Sequence, residues 1–372
     1  MIKVGITGQA GFMGTHLFNY LGLNDEIERI SFKDEYFFDQ YLLNDFVKKC
    51  EVIVHLAAMN RHEDENVIYN TNINLVSRLI NACEITNSRP HIIFSSSTQE
   101  EKDNFYGKSK REGRKLFEKW ARRNKTQFTA MVIPNVFGPF GQPYYNSVVA
   151  TFCHQLTHGE TPEIHVDGDL KLIYINNLIE EFYQQIIIED QKEISKYLVP
   201  PTFTQKVSKI LSVLDKFREE YLLKGIIPDI SDLSMLALFN TFRCYIPEEY
   251  FPFIYKKHAD QRGMFVEIIR SNTSGQFSYS TTRPGVTRGN HFHIRKAERF
   301  AVIRGKARIQ LRKIGTEKII NYELDGKEPA FVDIPIWYTH NIANIGTEEL
   351  ITLFWINESY DPDNPDTFYE NV

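Results

Sequence analysis

Gly285-Val-Thr-Arg-Gly-Asn-His291-Phe-His293-Ile-Arg-Lys-Ala-Glu298-Arg-Phe-Ala-Val-Ile-Arg-Gly305 sets two histidines and a glutamate within eight residues, between bracketing glycines. In a strand, His291 and His293 point to one face, because side chains alternate with a period of two. Glu298 stands at odd spacing from His293, so it reaches that face only after a turn or bulge, and Arg295-Lys-Ala can supply the turn. Further on, Asp333-Ile-Pro335-Ile-Trp-Tyr338-Thr-His340-Asn-Ile-Ala-Asn344 places another histidine in a strand-like run. Three imidazoles and one carboxylate suit a divalent transition metal such as zinc. The competing reading is polar residues scattered over a β-sandwich face; the spacing favours the metal.

Alternating segments surround these two stretches: Gln276-Phe-Ser-Tyr-Ser, Arg308-Ile-Gln-Leu-Arg, Ala330-Phe-Val-Asp-Ile and Leu350-Ile-Thr-Leu-Phe-Trp-Ile. Many short strands at regular spacing predict a sandwich or barrel. The first stretch resembles the cupin motif G-x5-H-x-H-x4-E-x6-G at every defined position. The second resembles P-x-G-x2-H-x3-N at Pro335, His340 and Asn344, with Trp337 where the family carries glycine. That departure bears on a turn and leaves the ligands in place. The resemblance implies an all-β jelly roll holding a metal at His291, His293, Glu298 and His340; a metal-free cupin using its histidines as bases is the other possibility. Asp260-Gln-Arg262-Gly263-Met-Phe265-Val-Glu267, in order with the two histidine stretches, is similar to the sugar-epimerase branch of that family.

At the other end, Met1-Ile-Lys-Val-Gly-Ile-Thr7 is an apolar run of buried-strand type. Gly8-Gln-Ala-Gly11-Phe12-Met13-Gly14 follows, and then apolar residues at helical spacing. Strand, glycine turn and helix form a pyrophosphate cradle: backbone N–H groups approach the phosphates, and the helix N-terminus adds partial positive charge. Val52-Ile-Val-His55-Leu56-Ala57-Ala58 is a second buried strand, followed by Asn60-Arg61, and His91-Ile-Ile-Phe-Ser95-Ser96-Ser97 is a third. Nine residues after Ser97 comes Tyr106-Gly-Lys-Ser-Lys110, whose Tyr and Lys share a helix face at i and i+4. A tyrosine is a poor acid or base at neutral pH unless a nearby ammonium stabilises its phenolate.

In this order, G-x-x-G-x-x-G, H-L-A-A, the serine run and Y-x-x-x-K resemble the extended short-chain dehydrogenase/reductase family. That resemblance implies a Rossmann-type doubly wound α/β domain. It implies catalysis by Ser97 (Thr98 as alternative), Tyr106 and Lys110, and a nicotinamide cofactor held by Gly8, Gly11, Phe12, Met13, Gly14, Leu56, Ala57, Ala58, Tyr106 and Lys110. Pro134-Asn135-Val-Phe-Gly138-Pro139 and Ile173-Tyr174-Ile-Asn176-Asn177 resemble the family's sugar-nucleotide segments, without the usual arginines. Asn60, Arg61, Asn135, Asn146 and Lys171 are the expected substrate contacts. At the end of the second strand, Arg29-Ile-Ser-Phe-Lys33, an acidic residue would hold a ribose 2′-OH and a basic one a 2′-phosphate, and Lys33 and Asp34 stand one residue apart. The strand is expected to end at Phe32-Lys33, so Lys33 favours NADPH.

Apolar spacing predicts helix from Gln205 to about Asn240, and the proline-interrupted Tyr245-Ile-Pro-Glu-Glu-Tyr-Phe-Pro252 is the expected linker. The expected domains are therefore 1–245, a reductase, and 252–372, a cupin. With 372 residues the chain is long enough for both cores. A net charge of −5 gives no electrostatic reason to expect nucleic acid. The cysteines Cys50, Cys83, Cys153 and Cys244 form no C-x-x-C pair and read as free thiols in a reducing compartment. No run approaches a membrane span, and the chain opens on a strand where a signal peptide would lie. A cytoplasmic enzyme is expected.

The two halves together resemble bifunctional enzymes of bacterial capsular polysaccharide synthesis, a short-chain reductase fused to a zinc cupin. The resemblance implies a UDP-linked 4-keto-6-deoxy-N-acetylhexosamine as substrate, C3 epimerisation by the cupin, and NADPH reduction of C4 to UDP-N-acetyl-6-deoxy-L-talosamine. A homodimer or higher homo-oligomer is expected. The metal would polarise the carbonyl, or be structural while a histidine or Tyr338 moves the proton. The alternatives are a monofunctional reductase whose cupin is a structural or dimerisation module, and a non-catalytic NADP sensor, against which the intact Ser97, Tyr106 and Lys110 argue.

Overall fold

Burial of two different periodicities builds two different units. The computed structural model describes residues 1–188 and 193–372. Residues 1–148 with 167–207 form one compact unit, and 149–166 with 208–372 form the other.

In chain order the first unit begins β1 (Ile2–Thr7), α1 (Phe12–Leu21), β2 (Ile27–Ile30), α2 (Gln40–Lys49), β3 (Val52–His55) and α3 (Glu65–Thr86). It continues with β4 (His91–Ser97), α4 (Phe105–Asn124), β5 (Phe128–Ile133) and β6 (Asn135–Phe137). Helix α5 (Val148–Thr157) belongs almost wholly to the second unit, after which β7 (Asp169–Tyr174), α6 (Ile175–Ile187), β8 (Ile194–Leu198) and β9 (Phe203–Lys206) return to the first. Six strands form a parallel sheet in the order β2-β1-β3-β4-β5-β8. Strands β3, β4 and β5 are almost entirely buried, as apolar runs covered on both faces must be. The order reverses at β1: β2 lies on one side and β3 on the other, so the crevice beyond their carboxyl ends is a topological switch point.

After α5, the second unit continues from residue 208 with α7 (Val207–Phe217), a π-helical turn at Arg218–Leu222, and α8 (Leu233–Arg243). The predicted helix over 205–240 is thus two helices: Gln205 is in β9, and 223–232 is non-helical around Pro228. Short strands β10 (Phe253–Ile254), β11 (Lys257–Asp260) and β12 (Gly263–Val266) follow. Then come β13 (Gln276–Thr282), β14 (Thr287–Phe292), β15 (Glu298–Arg304), β16 (Lys306–Lys313) and β17 (Ile319–Asp325). The last are β18 (Ala330–Ile334), β19 (Tyr338–Asn344), β20 (Leu350–Ile356) and β21 (Phe368–Tyr369). Two five-stranded antiparallel sheets, β10-β18-β15-β20-β13 and β17-β16-β19-β14-β21, make a jelly roll. Phe300, Val302, Ile309, Leu311, Val332 and Ile342 fill its core.

The compact units do not divide at Tyr245–Pro252: residues 208–251 group with the β-rich unit. Buried polar side chains hold them there. Asn240 Nδ2 donates to the Arg295 carbonyl at 3.0 Å, and Arg243 Nη1 to that of Ile334 at 3.1 Å. Among the described residues no helix is long and apolar enough to cross a membrane.

Candidate functional site

The glycine turn stands at the end of β1, inside the crevice. Gly8 has φ +70°, and a Cβ there would lie 2.8 Å from the Ala57 nitrogen, so only glycine lets the turn press against the Leu56–Ala58 segment after β3. A Cβ on Gly14 would meet the Gly8 carbonyl at 2.2 Å, which fixes α1 tightly behind the turn. Helix α1 starts after Gly11 with no capping side chain and no acid in its first turn. Its leading amides, those of Phe12, Met13 and Gly14, are oriented for an anion. This cradle fits a dinucleotide pyrophosphate.

Strand β2 ends at Ile30, earlier than the sequence pattern implied. Phe32 turns into the core, its amide held by Gln9 Oε1 at 3.0 Å, and Lys33 is exposed at the start of a 3-10 turn. The ring of Phe32 against Phe37 and Phe46 is what ends the strand.

Tyr106 and Lys110 lie on the first turns of α4, capped by Asn104, whose Oδ1 accepts from the Gly107 amide. Lys110 is buried; its Nζ donates to the Ser95 carbonyl at 2.8 Å, contacts Ser95 Oγ at 3.3 Å, and lies 5.7 Å from the Tyr106 ring centre. Burial lowers the ammonium to about 7, with Glu100 opposing the shift. The Tyr106 phenol moves the other way from a readily ionised one: burial, aided by nearby Tyr145, pushes it up to about 12. It therefore holds its proton at neutral pH. Ser97 is the last residue of β4, and its Oγ accepts from the Gln99 amide at 3.1 Å, leaving the hydroxyl proton to donate elsewhere.

Of the expected substrate residues, Asn60 and Arg61 are drawn to one segment: Tyr145 OH donates to Asn60 Oδ1 at 2.6 Å, and Arg61 Nη1 to the Tyr144 carbonyl at 2.7 Å. Asn146 is the next residue along and is exposed. Asn135 and Lys171 pair with each other, Asn135 Nδ2 donating to the Lys171 carbonyl at 3.3 Å across β6 and β7.

Sequence reasoning passed over Ser95, Asn72 and Tyr145. Asn72 exchanges hydrogen bonds with the Met59 backbone and donates to Ser109 Oγ at 2.9 Å, so it ties the segment after β3 to α4. A polar side chain on the buried face of α3 was the readable signal.

In the second unit, β14 carries a bulge between Gly289 and His291, with Asn290 at φ +63°. The bulge aligns His291 opposite His340 on β19. His293 stands just beyond β14, the 294–297 turn follows, and Glu298 opens β15. The four side chains converge, their ligand atoms all within 4.8 Å of one another. Glu298 Oε2 is 3.1 Å from His293 Nε2 and 3.3 Å from His340 Nε2.

Each of these imidazoles turns its other nitrogen to a backbone carbonyl, His293 Nδ1 to Asp366 and His340 Nδ1 to Tyr338 at 3.3 Å, which fixes Nε2 toward the cluster. Buried His340 Nε2 has no well-directed hydrogen bond. Burial, reinforced by the other two rings, lowers His291 to about 4 and keeps it neutral. Burial opposes ionisation of Glu298, but the two histidines outweigh it and hold the carboxyl far below its ordinary range. Against its burial, Glu298 also draws His293 upward, so a cation entering the cluster would displace a proton there. Three imidazoles around an ionised carboxylate are a donor set that fits a divalent cation. Trp337 has φ +63°, so the position does demand the left-handed backbone that glycine favours; its ring stacks on Phe292 and its amide donates to the His293 carbonyl at 2.8 Å.

Fold and sequence order thus define a Rossmann-type α/β domain of the extended short-chain reductase kind joined to an all-β jelly roll of the cupin kind. Residues 4–180 match the NAD dependent epimerase/dehydratase family, and 258–368 match the polysaccharide biosynthesis C-terminal domain. The chain is 32% identical over 368 residues to UDP-2-acetamido-2,6-beta-L-arabino-hexul-4-ose reductase of Pseudomonas aeruginosa, covering 99% of this chain and 98% of that one. It resembles the crystal structure of the capsular polysaccharide assembling protein CapF from Staphylococcus aureus, with TM-score 0.64, 31% identity and full coverage of both chains. UDP-glucose 4-epimerase of Thermotoga maritima, at 19% identity and TM-score 0.52 over 59% of this chain and 83% of that one, shares the fold. The chain belongs to the CapF family of two-domain polysaccharide-biosynthesis proteins.

Proposed function

We propose that the protein acts on a UDP-linked 4-keto-6-deoxy-N-acetylhexosamine. The jelly roll epimerises C3, and the Rossmann domain then reduces C4 with NADPH, giving UDP-N-acetyl-6-deoxy-L-talosamine for a surface polysaccharide. The observation that carries this reading is the Tyr106–Lys110 pair, its lysine anchored on Ser95 of β4, in a chain aligned end to end with a UDP-hexul-4-ose reductase.

When bound, NADPH supplies hydride to C4, and a divalent cation at His291, His293, Glu298 and His340 supplies Lewis acidity to the epimerising half. Tyr106 donates its phenolic proton to the C4 oxygen; even pushed up to about 12, the phenol remains a stronger acid than the secondary alcohol it forms. The Ser97 hydroxyl donates a hydrogen bond to the same oxygen and fixes the ketone. The Lys110 ammonium offsets the charge left on the phenolate. Asn60, Arg61 and Asn146 hold the sugar nucleotide from the 60–61 and 144–146 segments, with Asn135 and Lys171 as further contacts.

Chemistry sets the order of the two steps. A C3–H is acidic only while C4 is a carbonyl, because its removal gives an enolate, so reduction first would leave nothing to epimerise. The proposal keeps the functional halves at 1–245 and 252–372, and places the protein in the cytoplasm as a homodimer or higher homo-oligomer. Exposed Phe277 and Tyr279 on the sheet-edge strand β13 support self-association.

The test is product analysis of the UDP-4-keto sugar with and without NADPH. Exchange of the C3 hydrogen with solvent deuterium without NADPH, and the L-talo alcohol with it, are expected. An unepimerised alcohol as sole product would leave a monofunctional reductase.

A further inference from the structure

One segment reaches the neighbourhood of all four clustered side chains, and no motif marks it. The Asp366 carboxylate accepts from three successive amides of the turn between His293 and Glu298: Ile294, Arg295 and Lys296, at 3.1, 3.1 and 3.0 Å. The fourth amide, of Ala297, donates to Asn357 Oδ1 at 2.7 Å. The backbone carbonyl of Asp366 also accepts from His293 Nδ1, so this residue sets both the ligand turn and the ligand tautomer.

Just beyond, β21 pairs with β14, placing Tyr369 opposite His291 and Phe368 opposite Phe292. Thr339, next to His340, donates its hydroxyl to the Glu370 carbonyl. The grip is built, since Asp366 and Lys296 are 3% and 2% exposed and Lys296 Nζ donates to the Pro365 carbonyl at 2.6 Å. Asp366 adopts φ +45°, a conformation aspartate tolerates better than most residues.

We infer that the segment 357–371 is a clasp on the metal site and that Asp366 is its positioning residue, orienting His293 and the turn to Glu298 for the cation; this rests on the metal reading given above. A buried carboxylate accepting three amides is a rigid frame, because losing it strands three N–H groups away from water. Holding the ligands in place beforehand removes an ordering cost from metal binding. Reciprocity then requires bound metal to tighten the clasp by the same factor.

The test uses the full chain, stripped of metal by chelation and titrated with Zn2+ against a competing chelator. Asp366→Ala should weaken Zn2+ by about 10–100-fold, the usual effect of losing a residue behind a ligand. It should also change the visible spectrum of the Co2+ form, which a purely structural contact would leave alone. Asp366→Asn, which keeps the volume, the carbonyl and one acceptor oxygen, should lose less, and it decides the matter if the alanine variant does not fold. Arg304→Ala, which breaks an exposed pair with Glu348, should bind Zn2+ as the parent does. In the unaltered chain, Zn2+ should slow hydrogen exchange of the amides over 366–371. Parental affinity and parental Co2+ spectrum in the folded Asp366 variants would overturn the clasp while leaving the metal site standing. Failure of the unaltered chain to take up Zn2+ would overturn the metal reading and the clasp together.

Discussion

Lys110 is held near the edge of its charged range by burial, which lowers the ammonium to about 7 despite Glu100. Its charge is present below that pH and lost above it. Reduction needs the ammonium when Tyr106 surrenders its proton, so kcat/KM for NADPH should be highest below about pH 7 and fall as pH rises through it. In Lys110→Met the pH profile should be low and lack that inflection; an inflection that survives the substitution belongs to another group. Tyr106→Phe should cut NADPH oxidation by about 10²–10⁴-fold, the usual worth of a positioned proton donor, with cofactor affinity nearly unchanged. A variant retaining a tenth of parental turnover would remove Tyr106 from that role. Tyr106, Lys110 and the metal cluster were legible because their chemistry fixes short spacings, i and i+4 or H-x-H. Ser95, 15 residues from the lysine it anchors, and Asn72, 37 from Ser109, carry no such signature. The weakened acidity of Tyr106 was not legible either, since the burial that pushes its phenol up to about 12 belongs to the folded state.

At the scale of elements, alternation and apolar runs located the strands well, because each face of a sheet must be apolar or wet. Ends of elements were less legible. The pattern carries β2 to Lys33, but Phe32 leaves the strand at Ile30 to pack with Phe37 and Phe46, a tertiary preference that outranks local propensity. Lys33, exposed beyond that end, is still proposed to meet the 2′-phosphate. Lys33→Glu should raise the Kd for NADPH well beyond that for NADH, and equal effects on both would make it a surface charge. The Trp337 turn shows the converse. The sequence marks a glycine position, and the fold keeps the left-handed backbone but fills it with a buried ring. Trp337→Gly should relieve about 1–2 kcal/mol of backbone strain while losing roughly 3–5 kcal/mol of aromatic burial. Chemical denaturation should therefore report a net loss of roughly 1–4 kcal/mol, whereas a gain would mean the ring stabilises nothing.

For the whole molecule, each unit has its own apolar core, one packed by residues such as Phe46, Phe94 and Phe117, the other by Phe300, Ile309 and Val332. The boundary was the least legible feature, because the helices after Val207 keep the same apolar periodicity whichever core receives them. Separate cores make the two chemistries separable by substitution. His291→Ala or His340→Ala removes one of four convergent ligand groups, so each should lower bound metal, since affinity depends on all donors being in place. NADPH binding should persist, because the glycine turn, the segment after β3 and α4 all lie in the other unit. If the jelly roll forms the enolate, the histidine variants should fail to exchange the C3 hydrogen of the 4-keto sugar with deuterated water, an assay that needs no NADPH. Tyr106→Phe should keep that exchange and fail only in reduction. Exchange at the parental rate in both histidine variants would take epimerisation away from the jelly roll, leaving a reductase attached to a structural metal module.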